Sequence, residues 1–134
     1  MTRIQFYIIA TEDSTEQFAY ALRLAMQNLA MGKHLHIHTE SAKDTRTLLE
    51  QIADKLTCGD ERLTIDHKGT PGPVREVLLN LSSEVPYFFS SFEATLEIIC
   101  DGSATKAIGR ERYRYYQTRG YPLRHYEVQP QLAL

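Results

Sequence analysis

The sequence predicts a single α/β domain in which helices flank a mostly parallel central sheet, and three observations support this prediction. The chain opens with an almost continuous apolar run at Ile4–Ala10, which is typical of a strand covered on both faces. A stripe of apolar residues at helical spacing follows this run and stops at Gly32. Strand-like and helix-like segments then continue to alternate, and this order indicates right-handed crossovers between parallel strands.

Each element of the first half has its own local signal. Leu35 and Ile37 alternate with histidines, as in a strand, whereas Leu48 and Ile52 repeat at the spacing of a buried helix face. The predicted segments are, in chain order, a helix over Thr15–Met31, a strand over Lys33–Thr39, a helix over Ala42–Leu56 and a short strand at Leu63–Ile65.

The second half begins after Gly69–Pro73, which is a turn or loop by composition. Gly120 and Pro122 are typical of a helix end and therefore predict where the last helix stops. The predicted segments are a strand over Val74–Leu81, a loop or short helical turn at Pro86–Phe89, a strand over Ala94–Cys100, a helix over Ala104–Arg119 and a closing strand over Tyr121–Val128.

Length and composition set the domain count and the class of protein. The 134 residues fit one domain, which we place at residues 1–128, with a frayed C-terminal tail at residues 129–134. No apolar run approaches the roughly 18 residues that cross a bilayer. Cys58 and Cys100 form neither a disulfide framework nor a metal-ligand spacing, so we expect reduced thiols. These features predict a cytoplasmic protein without a signal peptide or membrane contact.

The run Gly109–Leu123 concentrates the positive charge of a chain whose net charge is −2. It holds four arginines and four tyrosines, and Glu111 is its one acid. A basic, aromatic-rich helix on an otherwise acidic domain predicts a site for a negatively charged partner. The acidity of the rest of the chain argues against direct binding of nucleic acid.

A helical wheel divides this last helix into two sides. The exposed side could take a peptide carboxylate and an apolar side chain. An equally simple interpretation is a solvated face that only keeps the protein soluble. The predicted exposed side holds Lys106, Arg110, Tyr113 and Gln117, and the predicted core side holds Ala104, Ile108 and Tyr115, with Arg112 and Arg119 snorkelling around it.

Three histidines of the second predicted strand, His34, His36 and His38, are weak candidates for metal ligands because they share one strand face. They spread over about 13 Å at roughly 3.3 Å per residue, so one ion could bind an adjacent pair but not all three without a bend. We therefore predict no metal and a polar or part-exposed strand face.

Motifs of catalysis and of cofactor binding are missing from the sequence. There is no Gly-x-Ser-x-Gly elbow, and the turn after the first strand is Thr11–Ser14, with acids where a dinucleotide would place phosphates. Gly69–Pro73 lacks the Lys-Ser/Thr ending of a phosphate-binding loop. We predict a non-catalytic protein without a cofactor, and a small-ligand binder or an enzyme remains the alternative.

The run Gly109–Leu123 is the most specific of several stretches that together cover nearly the whole chain. The other stretches are Phe6-Tyr7, Gly32-Lys33, His67, Val77–Leu81, Pro86, Phe89, Phe92 and Glu97–Ile99. Together they resemble one family, the chi subunit of bacterial DNA polymerase III.

The resemblance implies a non-catalytic, Rossmann-like accessory subunit of the polymerase. Members of that family bridge the clamp loader, through the psi subunit, to the acidic C-terminal tail of single-stranded DNA-binding protein, which ends in aspartates followed by Ile-Pro-Phe. By resemblance, Lys106 and Arg110 match the basic positions that bind this tail. Tyr113 matches an aromatic residue of the same pocket, and Ile99 is a weaker match to its apolar wall.

Contact with psi is less well supported by the same comparison. The family usually has Leu-Trp at the end of its second helix and a Phe before its Pro-His element, and large aromatics of this kind dominate interface energies. Neither is present here. The candidate psi interface consists of Leu56, Thr57, Thr64, Ile65 and His67. The alternative function is a Rossmann-like small-ligand binder or enzyme unrelated to replication.

Overall fold

Parallel strands form one sheet at the centre of the protein. The computed structural model describes residues 1–54, 61–69, 71–102 and 105–130. Within these residues six strands pair in the order β3-β2-β4-β5-β1-β6, and every pairing is parallel. The strands are β1 Arg3–Ile9, β2 Leu35–His38, β3 Leu63–Asp66, β4 Val77–Asn80, β5 Ala94–Cys100 and β6 Leu123–Val128.

Helices connect the strands and lie on the faces of the sheet. They are α1 at Thr15–Ala30, α2 at Ala42–Ala53 and α3 at Lys106–Thr118, with one short 3₁₀ turn at Phe89–Ser91. Ser41 caps α2 by accepting a hydrogen bond from the backbone N–H of Asp44 at 3.2 Å. Gly32 and Gly120 follow α1 and α3 at φ of 76° and 78°, a backbone region that glycine adopts without a steric penalty.

The structure confirms the predicted α/β class and most of the element order. The predicted strand Ala94–Cys100 has the same limits in the structure, whereas the predicted Val74–Leu81 shortens to Val77–Asn80 because only these residues pair with β2 and β5. The predicted helix ends at Leu56 and Ala104 lie outside the described residues.

Buried side chains separate into two clusters, one on each face of the sheet. Neighbouring residues of a strand fall into different clusters, as Leu78 and Leu79 of β4 do, because successive side chains point to opposite faces. The first cluster includes Leu22 of α1 and Leu48 of α2. The second includes Tyr116 of α3 together with the side chains of Phe88, Phe89 and Phe92.

The predicted core side of α3 is wrong for Ile108 and Arg112, whereas Tyr115 packs against the second cluster as predicted. The helix buries Arg112 and Tyr116, which are 7% and 0% exposed, whereas Ile108 is 42% exposed. Tyr115 is half-buried against Phe89, with ring centroids 6.2 Å apart. Ala104 lies outside the described residues.

Glu97 gives the physical reason for this rotation of the helix. Its side chain is fully buried on β5, and a buried carboxylate needs charged and hydrogen-bonding partners. Arg112 Nη1 lies 2.8 Å from one carboxylate oxygen, and the hydroxyl of Tyr116 donates to the other at 2.6 Å. Arg112 Nη2 also donates to the backbone oxygen of Ser82 at 2.6 Å, which ties α3 to the end of β4. Arg112 is therefore a buried ion-pair partner and does not snorkel.

Arg119 also departs from its predicted place. It is exposed, and its guanidinium lies 3.6 Å from the ring centroid of Tyr115, in a cation–π contact on the outer surface of α3. Arg119 therefore contacts Tyr115 at the end of α3 and does not cover the core. Lys106, Arg110 and Gln117 are exposed, as predicted.

Candidate functional site

A groove of about 510 Å³ lies on the α3 face of the sheet, with α3 on one side and β6 on the other. Its floor is apolar and is made by Phe6 and Ile8 of β1 and by Ile99 of β5. The remaining lining residues are Lys106, Gly109, Arg110 and Tyr113 on α3, His125 and Glu127 on β6, and Asp101 after β5.

The strand register arranges the floor and the β6 wall in two rows. Phe6 pairs with His125 in one row, and Ile8 pairs with both Ile99 and Glu127 in the next. The ring of Tyr113 lies 5.3 Å from that of Phe6 and 6.3 Å from that of His125, centroid to centroid. One end of the groove is therefore aromatic.

The other end of the groove carries two cations on α3. Lys106 and Arg110 are one helical turn apart, so their side chains project on the same side. Both are exposed, and within the described ranges neither forms an ion pair with a carboxylate. Their charges are available to a ligand, and Arg110 can take a carboxylate in a bidentate manner.

Gly109 allows α3 to approach the floor of the groove closely. A Cβ built at this position would lie 2.9 Å from Cγ2 of Ile99, which is closer than carbon atoms pack. The glycine thus sets the depth of the groove at its charged end, between Lys106 and Tyr113.

Substituting valine for Gly109 is expected to destabilise the protein by about 1 to 3 kcal/mol, because the added methyl groups would overlap Ile99. Urea unfolding measures this change. The same substitution in an Ile99→Ala background should cost less, since the overlap is removed. An equal cost in both backgrounds would show that the close approach is not the cause.

The groove brings together all four residues that the sequence and the family resemblance singled out for peptide binding. Lys106, Arg110, Tyr113 and Ile99 line it from two different elements. Their binding role stays a prediction. Sequence reasoning missed the β6 wall and did not assign Phe6 and Ile8 to the site. Alternation along the closing strand places His125 and Glu127 on one face of the sheet, but it does not show that this face borders the groove.

Three residues of the candidate psi interface, Thr64, Ile65 and His67, lie at the opposite edge of the sheet, on and after β3. Leu56 and Thr57 fall outside the described residues. Thr64 is exposed, and its hydroxyl lies 2.6 Å from Nδ1 of His36. Ile65 packs against the first core cluster. His67 follows β3, with its Nδ1 3.3 Å from an oxygen of Asp66.

The structure bears out the predicted part-exposed face at His34 and His38, which are half-buried, and contradicts it at His36, which is buried. His36 is 5% exposed, and its ring packs beside those of Phe88 and Phe92 at centroid distances of 6.2 and 6.3 Å. Burial, followed by the neighbouring His38, lowers the pKa of His36 to about 4. Among the described residues, no three or more His, Cys, Asp or Glu side chains are placed to hold a metal ion.

An all-parallel sheet with helices on both faces defines a Rossmann-like α/β protein, and a charged groove lies beside its last helix. The chain belongs to the family described as DNA polymerase III chi subunit, HolC, whose model matches residues 1–124.

Two relatives carry the same description, DNA polymerase III subunit chi. The protein of Pseudomonas aeruginosa is 26% identical over 141 residues, covering 96% of this chain and 98% of its own. The protein of Haemophilus influenzae is 26% identical over 133 residues, covering 89% and 92%. In the described part of the chain, no helix has the length and apolarity needed to cross a membrane.

Proposed function

We propose that the groove binds the acidic C-terminal tail of single-stranded DNA-binding protein and so tethers that protein to the clamp loader. The chain then acts in the cytoplasm as a non-catalytic accessory subunit of the DNA polymerase III holoenzyme. The observation that carries this proposal is the meeting of Lys106, Arg110, Tyr113 and Ile99 around one groove whose two cations have no ion-pair partner in the described residues.

The two ends of the groove match the two chemical parts of such a tail. The terminal carboxylate would bind Arg110 and Lys106 through charge-assisted hydrogen bonds. The terminal phenylalanine ring would enter the aromatic end, where Phe6 and Tyr113 offer tilted ring faces. The isoleucine and proline would cover the apolar floor at Ile8 and Ile99. A site of this kind recognises the end of a peptide by both its charge and its shape.

The alternative, a Rossmann-like enzyme or small-ligand binder, would use a crevice at the carboxyl ends of the strands. The loops after β1 and β5 approach each other closely there, since a Cβ built on Gly102 would lie 3.1 Å from the Cα of Glu12. A cavity of about 510 Å³ lies at the carboxyl ends of β2 and β4, lined by His38, Thr39 and Ser82 among others. Binding of the acidic peptide at the α3 groove distinguishes the two functions.

Replacing Arg110 with alanine should weaken binding of a fluorescent Asp-Asp-Asp-Ile-Pro-Phe peptide about 10- to 100-fold, because one charged hydrogen-bonding group contributes roughly 1.5 to 3 kcal/mol. The wild-type affinity should lie in the micromolar range, near −8 kcal/mol. Fluorescence anisotropy measures both affinities, and added salt should reduce binding because it screens the charges.

Arg114→Ala is the matched control, since Arg114 is exposed on the same helix but does not line the groove. It should bind the peptide almost as tightly as the wild type. A peptide without its terminal phenylalanine should bind weakly. An absence of saturable binding by the wild type at low salt would contradict the proposal.

Contact with the psi subunit stays a prediction for the β3 edge of the sheet. The surface there carries Thr64 near the place where the family pattern has a phenylalanine, so a psi contact would rest on a smaller side chain than the family pattern implies.

A further inference from the structure

The groove has a second charged wall, and its sign is opposite to that of α3. Glu127 projects from β6 in the same row as Ile8, and Asp101 follows directly on β5 at the same end of the sheet. Both acids are exposed and line the groove together with Lys106 and Arg110. One mouth of the groove thus carries cations on its helix side and carboxylates on its strand side.

The direction of α3 fixes which end of the groove is this mouth. Tyr113 contacts Phe6, whereas Gly109 lies against Ile99, which is in the row two residues further along the strands. The helix therefore runs opposite to the strands, and its first turn, with Lys106, lies at their carboxyl ends. The N-terminus of a helix also favours negative charge. The helix side of the mouth attracts acids and the strand side repels them.

We infer that Glu127 and Asp101 determine the path of a bound acidic peptide. They repel its upstream aspartates from the β6 side and direct them over the first turn of α3, past Lys106. The two carboxylates thereby select the direction in which the peptide leaves the groove. This inference rests on the proposed function, because it concerns the same groove and the same class of ligand.

Each carboxylate should change the affinity for the peptide only modestly, because the charges are exposed to water. Two unit charges roughly 8 to 10 Å apart in water change an affinity about twofold. Each carboxylate faces several aspartates of the peptide. We therefore expect removal of either carboxylate to change the affinity for the acidic peptide about two- to threefold at low salt. The effect should disappear at about 1 M salt, where screening acts within roughly 3 Å.

The experiment compares two peptides, Asp-Asp-Asp-Ile-Pro-Phe and Asn-Asn-Asn-Ile-Pro-Phe, on the wild type and on Glu127→Gln by fluorescence anisotropy. The variant should tighten binding of the acidic peptide two- to threefold more than binding of the neutral one. Asp101→Asn should act in the same direction. Glu50→Gln is the matched control, because it changes the net charge equally from an exposed position on α2 and should alter neither affinity.

An equal change for both peptides, or no change for either, would overturn the inference while leaving the proposed function intact. A wild-type protein that binds neither peptide would overturn the proposed function itself. At about 1 M salt, Glu127→Gln should affect the affinities of the two peptides equally, which would confirm that its different effect at low salt is electrostatic.

Discussion

Replacing Arg112 with methionine is expected to destabilise the protein by about 3 to 5 kcal/mol, because it leaves the fully buried carboxylate of Glu97 without its cation. Burial already raises the pKa of Glu97, and the arginine opposes that rise. The variant must therefore either bury an uncompensated charge or take up a proton. Urea unfolding, followed by circular dichroism, measures the change in the free energy of unfolding.

Arg114→Met provides the matched control, because it removes the same charge from an exposed position of the same helix. It should change stability by no more than about 0.5 kcal/mol. The double variant Glu97→Leu/Arg112→Met should be more stable than Arg112→Met alone, since no buried charge is left unpaired. A single variant as stable as Arg114→Met would show that the ion pair is not what holds α3 in place.

Replacing His36 with phenylalanine should reduce the loss of stability on acidification by about 3 kcal/mol at pH 4. The pKa of His36 falls from 6.5 to about 4 in the folded protein, so the folded state keeps the ring neutral while the unfolded state takes up a proton. Stability is therefore fully present above pH 6.5 and is lost as the pH falls towards 4. Phenylalanine preserves the packing beside Phe88 and Phe92 but has nothing to titrate.

The measurement is urea unfolding of both proteins between pH 7.5 and 4. His38, Asp66 and Arg75 also act on the His36 ring, and they remain in both proteins, so the difference between the two curves isolates one group. His125→Phe removes an exposed histidine and serves as the control. Parallel stability curves for the wild type and His36→Phe would contradict the assignment of acid sensitivity to this buried ring.

Local pattern was sufficient for the order of the strands and helices and for the first residues of α1 and α2. The segment Ala94–Cys100 is a run of apolar and β-branched residues that only a covered strand accommodates, and its limits were predicted correctly. The face of α3 could not be predicted in this way. A wheel that ranks residues by hydrophobicity places Ile108 in the core and lets Arg112 only snorkel around it, whereas the structure exposes Ile108 and buries Arg112. The burial of Arg112 depends on Glu97, a single acid in an apolar strand, and a local pattern does not show that the two meet.

The two walls of the groove also differ in how far the local sequence predicts them. The α3 wall follows from helical spacing, which places Lys106, Arg110 and Tyr113 on one side of one element. The β6 wall depends on strand order, because His125 and Glu127 reach the groove only when the last strand pairs with β1. That pairing joins the two ends of the chain, and nothing in the local sequence specifies it.

The strand order also separates the surfaces at the two edges of the sheet. β3 and β6 are five strand spacings apart, which corresponds to about 24 Å at roughly 4.8 Å per strand. Residues further apart than about 10 Å that share no partner contribute to stability independently. Substitutions at Thr64 and at Arg110 should thus combine additively, and a protein seated at one edge leaves the other edge open to solvent. The number of strands in the sheet therefore sets the distance between the two surfaces.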